Sequence, residues 1–206
     1  MNAREALERL REGNRRFVAG TAAPRAGPAQ RLALVAGQEP CAIVLGCSDS
    51  RVPSELVFDQ GFGDLFVIRV AGNVVAPSQV GSVEYAAARF GTRLVVVMGH
   101  SQCGAVLATL DALTGPPTPH SRDLLSIVNR IRPAIEPLLE GGTVRRDQYA
   151  ALVARAVRAN VRAAAEHLRR GSELLEGLIA SDGLRVVGAE YSLETGVVDF
   201  FDGADD

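Results

Sequence analysis

Runs of mostly apolar residues divide this chain and predict where its strands lie. Five such runs occur, at residues 41–46, 65–68, 94–98, 184–187 and 197–201. Runs of β-branched residues without polar alternation are typical of parallel strands covered on both faces, so the first four predict buried strands. The tight connection Glu194-Thr-Gly196 before the fifth run favours an antiparallel hairpin, which places the last strand at a sheet edge.

Apolar residues three or four positions apart predict helices between these strands. These periods cover residues 80–90, 124–138 and 153–168. A charged amphipathic helix is also predicted over residues 1–17, where one stripe carries Ala3, Leu7, Leu10 and Phe17.

Strands that alternate with helices indicate an α/β fold. We expect a mostly parallel sheet of about four strands plus an antiparallel edge strand, with helices on both faces and an N-terminal helix arm. Neither a composition shift nor an internal repeat marks a domain boundary. We therefore expect one domain over residues 1–206, with the helical arm in residues 1–37 and the α/β core in residues 38–206.

Composition narrows the class of protein. The chain has 22 basic and 24 acidic residues, and its net charge of -2 does not favour binding to nucleic acid. All of the basic residues are arginine, so every mechanism that needs a lysine is excluded. Three cysteines are too few and too odd a number for a secreted disulfide framework. The first helix lacks the apolar core of a signal peptide, and no stretch reaches the ~18 apolar residues of a membrane span. We expect a cytoplasmic protein that does not bind a membrane.

Soft metal ligands follow two of the predicted strands. Cys47 ends the first strand, and His100 and Cys103 follow the third. Ligands gather at the carboxyl ends of parallel strands, so the three side chains converge if these strands are neighbours. Zinc takes cysteine and histidine readily, and three protein ligands leave the fourth position of a catalytic site. The positions alone also fit small buried side chains, so both interpretations stand at this point.

Asp49 lies two residues beyond Cys47 and has two possible roles beside such a metal. It could occupy the fourth position, or it could accept a hydrogen bond from a water there. A guanidinium holds a carboxylate with two hydrogen bonds and keeps it ionised, and Arg51 stands where it can do so.

A competing interpretation uses a serine nucleophile. Gly99-His-Ser-Gln-Cys103 comes within one residue of the Gly-x-Ser-x-Gly elbow and has the same strand-turn-helix context. Ser101 would then need an acid and a histidine downstream, for which Asp111 and either His120 or His167 are available. This interpretation gives no role to Cys47, Asp49 and Arg51.

Two motifs together resemble one known family, the β-class carbonic anhydrases. Cys47-Ser-Asp-Ser-Arg51 resembles its Cys-x-Asp-x-Arg signature, and Gly99-His-Ser-Gln-Cys-Gly104 resembles its second metal motif. Arg69-Val-Ala-Gly-Asn73 is similar to a further block between them. The resemblance implies one zinc per chain, held by Cys47, His100 and Cys103, with Asp49 and Arg51 as a catalytic pair beside the open position.

The resemblance also implies an activity and an assembly. Zinc-bound hydroxide would hydrate carbon dioxide reversibly to bicarbonate and a proton. The substrate pocket would lie at the interface between subunits of a homodimer or of a higher even oligomer. The first helix of each subunit would pack on a partner subunit. By position, the pocket residues would be Gln38, Phe66, Tyr85 and Gly104. Two alternatives are a carbon disulfide or carbonyl sulfide hydrolase on the same scaffold, and a non-catalytic zinc protein that Asp49 closes permanently.

Members of the resembling family that close the site with the aspartate, and that bicarbonate inhibits, share a Trp, Arg and Tyr trio. Arg69 and Tyr191 match two of its positions, but Val44 stands at the third, and the chain has no tryptophan. We therefore expect an open site near and above neutral pH, with Asp49 held by Arg51.

Overall fold

Five strands form one sheet in the computed structural model of this chain, which describes residues 1–23, 26–116, 121–139 and 146–204. Their bounds are β1 (Ala42–Gly46), β2 (Leu65–Arg69), β3 (Leu94–His100), β4 (Arg185–Tyr191) and β5 (Val198–Asp202). Their spatial order is β2-β1-β3-β4-β5, with parallel pairing except between β4 and β5, which are antiparallel. The predicted α/β sheet with an antiparallel edge strand is thus confirmed.

The register of β1 and β3 decides where the candidate ligands meet. The two strands are parallel neighbours, and Gly46 of β1 lies opposite Met98 of β3. Cys47 follows β1 directly and His100 ends β3, so both lie at the carboxyl edge of the sheet. The adjacency on which the predicted convergence depends is therefore present.

The second strand differs from its prediction. All residues of β1 and β3 are buried, but β2 has half-buried residues at Phe66 and Val67 and an exposed one at Arg69. The prediction of four buried strands is therefore wrong for β2. An apolar run does not reveal whether a strand has neighbours on both sides, and the pairing leaves β2 at an edge.

Eight α-helices lie in the described ranges. They are α1 (Ala3–Val18), α2 (Pro28–Ala33), α3 (Ser54–Val57), α4 (Pro77–Arg89), α5 (Gly104–Thr114), α6 (Arg122–Ile135), α7 (Tyr149–Arg170) and α8 (Glu173–Ser181). Short 3-10 turns lie at Ala71–Asn73, Glu136–Leu139 and Arg146–Gln148. The predicted periods match α1, α4, α6 and α7. No helix of this set is long and apolar enough to cross a membrane.

The core covers both faces of the sheet. Val44 and Val96 point to one face, where they pack with α1, and Leu45 and Val97 point to the other, where they pack with α4 and α7. Successive side chains of a strand face opposite ways, so a run buried throughout requires cover on both sides. The prediction of helices on both faces is confirmed.

The first helix packs on its own sheet. Asn2 and Glu5 form a reciprocal capping box that starts α1, and Leu7 and Leu10 are buried in the cluster that contains Val44. The apolar stripe of α1 is therefore covered within one chain. Contact of α1 with a partner subunit therefore stays a prediction, and it would use a side of the helix other than this stripe.

Candidate metal centre

Three side chains from two strand ends and one helix start converge at the carboxyl edge of the sheet. The ligand atoms of Cys47, His100 and Cys103 all lie within 4.8 Å of one another, and the three residues are buried. Cys103 is the residue immediately before α5, and Gln102 before it adopts a left-handed φ of 56°. This sharp turn brings the side chains of His100 and Cys103 to one point, as their three-residue spacing predicts.

The hydrogen bonding of His100 leaves one ring nitrogen for a ligand. Its Nδ1 lies 2.9 Å from the carbonyl oxygen of Ser101, which can only accept, so Nδ1 carries the proton. Its Nε2 is buried without a hydrogen-bond partner among the described residues. A buried acceptor without a partner costs free energy, and a metal ion between Nε2 and the two sulfurs would remove that cost. The site therefore fits one zinc ion.

The two thiols are poised to bind a dication. A hydrogen bond from Cys103 lowers the pKa of the Cys47 thiol well below its usual value. The same contact raises the pKa of Cys103, because a second thiolate beside the first is disfavoured. A divalent cation removes this repulsion and allows both thiols to ionise. The donor set is thus matched to a metal of charge +2.

Asp49 and Arg51 form a paired group beside the ligands. Arg51 donates from Nε to Oδ1 of Asp49 at 2.9 Å and from Nη2 to Oδ2 at 2.8 Å. These hydrogen bonds hold the pKa of Asp49 well below its usual range. Oδ2 also lies 3.9 Å from Nε2 of His100. An ionised carboxylate therefore borders the position that the three ligands leave open.

Arg69 fixes the loop that carries this pair. It donates from Nε to the Cys47 carbonyl at 3.1 Å and from Nη2 to the Asp49 carbonyl at 2.5 Å. Val44 is fully buried in the core, and Tyr191 pairs with His100 in the register of β3 and β4. The backbone clamp by Arg69 was not predicted, since an arginine at a strand end gives no sign of its partners.

Ser101 has partners other than a catalytic histidine. Its hydroxyl donates to Oε2 of Glu194 at 2.7 Å and accepts from the backbone N–H of Leu193 at 3.0 Å. His167 lies exposed on α7, and His120 lies outside the described residues. The hydroxyl therefore links two loops, which does not favour the serine-nucleophile interpretation.

Three of the four predicted pocket residues lie away from the ligands of their own chain. Phe66 pairs with Ile43 near the start of β1, so a strand rise of ~3.3 Å per residue puts it about 13 Å from Cys47 along the sheet. Tyr85 is 55% exposed, and its ring centroid lies 6.2 Å from that of Phe66. Gln38 is exposed and lines a cavity of about 610 Å³ just before β1.

Gly104 is the fourth predicted pocket residue, and it does lie beside the ligands. It is the first residue of α5, directly after Cys103, and a Cβ added to it would meet nothing within 4 Å. One chain thus brings together the metal ligands, Asp49, Arg51 and Gly104. It does not bring Gln38, Phe66 and Tyr85 to them.

Comparison with known proteins agrees with this geometry. The profile of the family described as carbonic anhydrase matches residues 42–198. Carbonic anhydrase 2 of Mycobacterium tuberculosis is 38% identical over 194 residues, which cover 93% of this chain and 89% of that protein. The carbonic anhydrase of Mycolicibacterium smegmatis is 39% identical over 195 residues, covering 94% and 91%. A tetrameric β-carbonic anhydrase of Sordaria macrospora superposes with a TM-score of 0.71 at 26% identity, covering 85% of this chain and 87% of that one. This chain therefore belongs to the carbonic anhydrase family, in its β-class.

Proposed function

We propose that this chain catalyses the reversible hydration of carbon dioxide to bicarbonate and a proton at the site of Cys47, His100 and Cys103. One observation carries the proposal: three buried zinc-type ligand atoms lie within 4.8 Å of one another, next to an ionised carboxylate. Membership of the carbonic anhydrase family supports it.

One zinc would be held by Cys47, His100 and Cys103, and its chemistry when bound is that of a Lewis acid that lowers the pKa of water. The other steps belong to side chains of the chain. Asp49, kept ionised by Arg51, accepts a hydrogen bond from the attacking water and so turns a lone pair of that water toward the carbon. A C–O bond then forms and one C=O bond of carbon dioxide becomes C–O⁻. Because the pKa of Asp49 is so low, the proton passes to buffer rather than staying on the carboxylate.

We place Asp49 beside an open fourth position rather than on the metal. Both of its oxygens accept hydrogen bonds from Arg51, and this pairing holds the carboxylate in place and keeps it ionised. Val44 supports this assignment, since a valine offers no indole N–H to hold a regulatory bicarbonate nearby.

The substrate pocket of this proposal lies between two subunits. Gln38, Phe66 and Tyr85 would form it beside the metal of a partner, together with that partner's own glycine after the second cysteine. The distance of these residues from their own ligands supports the proposal, and so does the exposure of Tyr85. The protein would be a homodimer or a higher even oligomer, in line with the tetramers of Sordaria macrospora. Gln38 would donate to a bicarbonate oxygen, and the two rings would form apolar walls for carbon dioxide.

A cytoplasmic location completes the proposal. All three cysteines are free and buried, and Cys47 and Cys103 must stay reduced to act as ligands. The net charge of -2 gives no support to a nucleic-acid partner.

Stopped-flow measurement of carbon dioxide hydration, with metal analysis of the same sample, tests the proposal. We expect activity in proportion to zinc content and about one zinc per chain. A zinc-loaded sample that hydrolyses carbon disulfide but does not hydrate carbon dioxide would contradict the proposed substrate. A loaded sample with neither activity would indicate a closed, non-catalytic site.

A further inference from the structure

A backbone N–H meets one of the candidate ligand sulfurs inside the protein. Gly72 donates its N–H to Sγ of Cys47 at 3.3 Å, in a buried contact. Such a hydrogen bond spreads the negative charge of a thiolate, and partners of this kind orient a metal ligand and tune its donor strength. The position of this N–H therefore matters for the way Cys47 holds a metal.

Gly72 lies in a turn that needs to be held in place. The turn Ala71–Asn73 follows β2, and Gly72 has a left-handed φ of 66°. A glycine has many backbone conformations open to it, so its own torsions do not fix the direction of its N–H. The hydrogen bond from Asn73 N–H to the Val70 carbonyl, 3.0 Å long, closes the turn but contacts neither polar group of Gly72.

Asn160 supplies the missing anchor from α7. Its Nδ2 donates to the Gly72 carbonyl at 2.8 Å, and the residue is only 4% exposed. The opposite orientation of the amide would set its oxygen against the carbonyl oxygen, so this donor assignment is the only favourable one. One glycine thus accepts from Asn160 on one side and donates to Cys47 on the other.

The helix that carries Asn160 is itself seated against the metal site. A Cβ added to Gly99, the residue before His100, would lie 2.6 Å from Cγ2 of Val161 and 3.3 Å from Cγ1 of Val157. The absence of a side chain at Gly99 lets α7 approach the end of β3 this closely. The amide of Asn160 is therefore set by the same packing that places the histidine ligand.

We propose that Asn160 is a positioning residue for the metal centre: by holding the Gly72 carbonyl, its amide keeps the Gly72 N–H on the sulfur of Cys47. The proposal rests on Cys47 being a ligand of the zinc site proposed above. Without the anchor, Gly72 turns away, and the sulfur loses a donor in a buried environment. The thiolate is then less well oriented, and it holds the metal less firmly.

The test compares two buried asparagines. Asn160→Ala removes the anchor, and Asn160→Ser is a milder second variant whose hydroxyl is too short to reach the carbonyl. The control is Asn14→Ala, because Asn14 is 5% exposed and donates to the carbonyls of Val57 and Gly196 at 3.1 and 2.8 Å, away from the ligands. Zinc affinity is measured by chelator competition at fixed pH, and the thiolate-to-metal absorption band is recorded with cadmium.

We expect both Asn160 variants to bind zinc about tenfold or more weakly and to shift the cadmium band. Asn14→Ala should lower thermal stability while leaving both readouts as in the parent protein. Parental zinc affinity and an unshifted band in a folded Asn160 variant would overturn the proposal, and so would equal losses in Asn14→Ala. Full zinc affinity in Cys47→Ala would instead refute the ligand assignment, which separates failure of this inference from failure of the site.

Discussion

The conformation of Gly72 leads to a prediction whose size follows from the structure. Replacing it by alanine has two separable costs. The left-handed φ of 66° costs an L-residue roughly 1–2 kcal/mol. The added Cβ would also lie 2.8 Å from Cδ1 of Ile131 and 2.9 Å from Cβ of Ala105, and such overpacking costs typically about 1–3 kcal/mol. Gly72→Ala should therefore lower the free energy of unfolding by about 2–5 kcal/mol.

A second glycine separates the two costs. Gly183 has a nearly identical φ of 68°, but a Cβ there meets nothing within 4 Å. Gly183→Ala should therefore show the backbone cost alone, about 1–2 kcal/mol. The difference between the two variants measures how tightly α5 and α6 enclose the turn beside Cys47.

Urea unfolding of the metal-free protein, at one fixed protein concentration, is the appropriate assay. A fixed concentration is needed because association of subunits adds to the apparent stability. Equal destabilisation by Gly72→Ala and Gly183→Ala would refute the reasoning, since it would mean that Ile131 and Ala105 move aside without cost. Zinc competition on the same samples should show weaker binding for Gly72→Ala only.

Three further predictions concern the site itself. Cys103→Ala should lose zinc and hydration activity together, whereas Cys41→Ala, which changes a thiol at the other end of β1, should keep both in metal analysis and stopped flow. The charges of Zn²⁺, two thiolates and a neutral histidine sum to zero, so water at this site should have a pKa above ~7. Hydration activity should therefore rise through mildly alkaline pH, and a flat pH profile up to about pH 9 would contradict this. Asp49 adds no step to that profile, since its lowered pKa keeps it charged throughout the range. Mixing inactive Asp49→Asn chains with inactive Tyr85→Ala chains should restore about a quarter of parental activity if the pocket spans two subunits; no recovery after subunit exchange would place the pocket within one chain.

Part of the site could be predicted from the chain alone. Buried parallel strands require apolar residues at every position, so the runs around Ile43 and Val96 identify two of the strands from the sequence. The residues at the ends of such runs then become candidate site residues because of their position, as Cys47 and His100 do. The motif around each ligand made the family resemblance possible, and the carbonic anhydrase profile confirmed it.

Strand order and edge position needed the folded chain. An apolar run does not say which strand it will pair with, and only the pairing of β1 with β3 brings Cys47 to His100. The same limit explains the error at β2, whose run is apolar although it lies at an edge. The apolar stripe of α1 likewise has the same sequence pattern whether it covers its own sheet or a partner subunit. The packing of Leu10 in the core shows that the stripe covers its own sheet.

The contacts around the ligands depend on tertiary structure most strongly. Asn160 and Gly72 are 88 residues apart in the chain, and neither helical nor strand periodicity relates them. A polar residue on the buried face of α7 looks unfavourable until its partner is known, because the cost of burying an amide is offset only by a hydrogen bond formed in three dimensions. The ligand types and their places at strand ends could thus be predicted from the sequence. The hydrogen bonds that orient them form only when the chain folds, because they join residues that are far apart in the sequence.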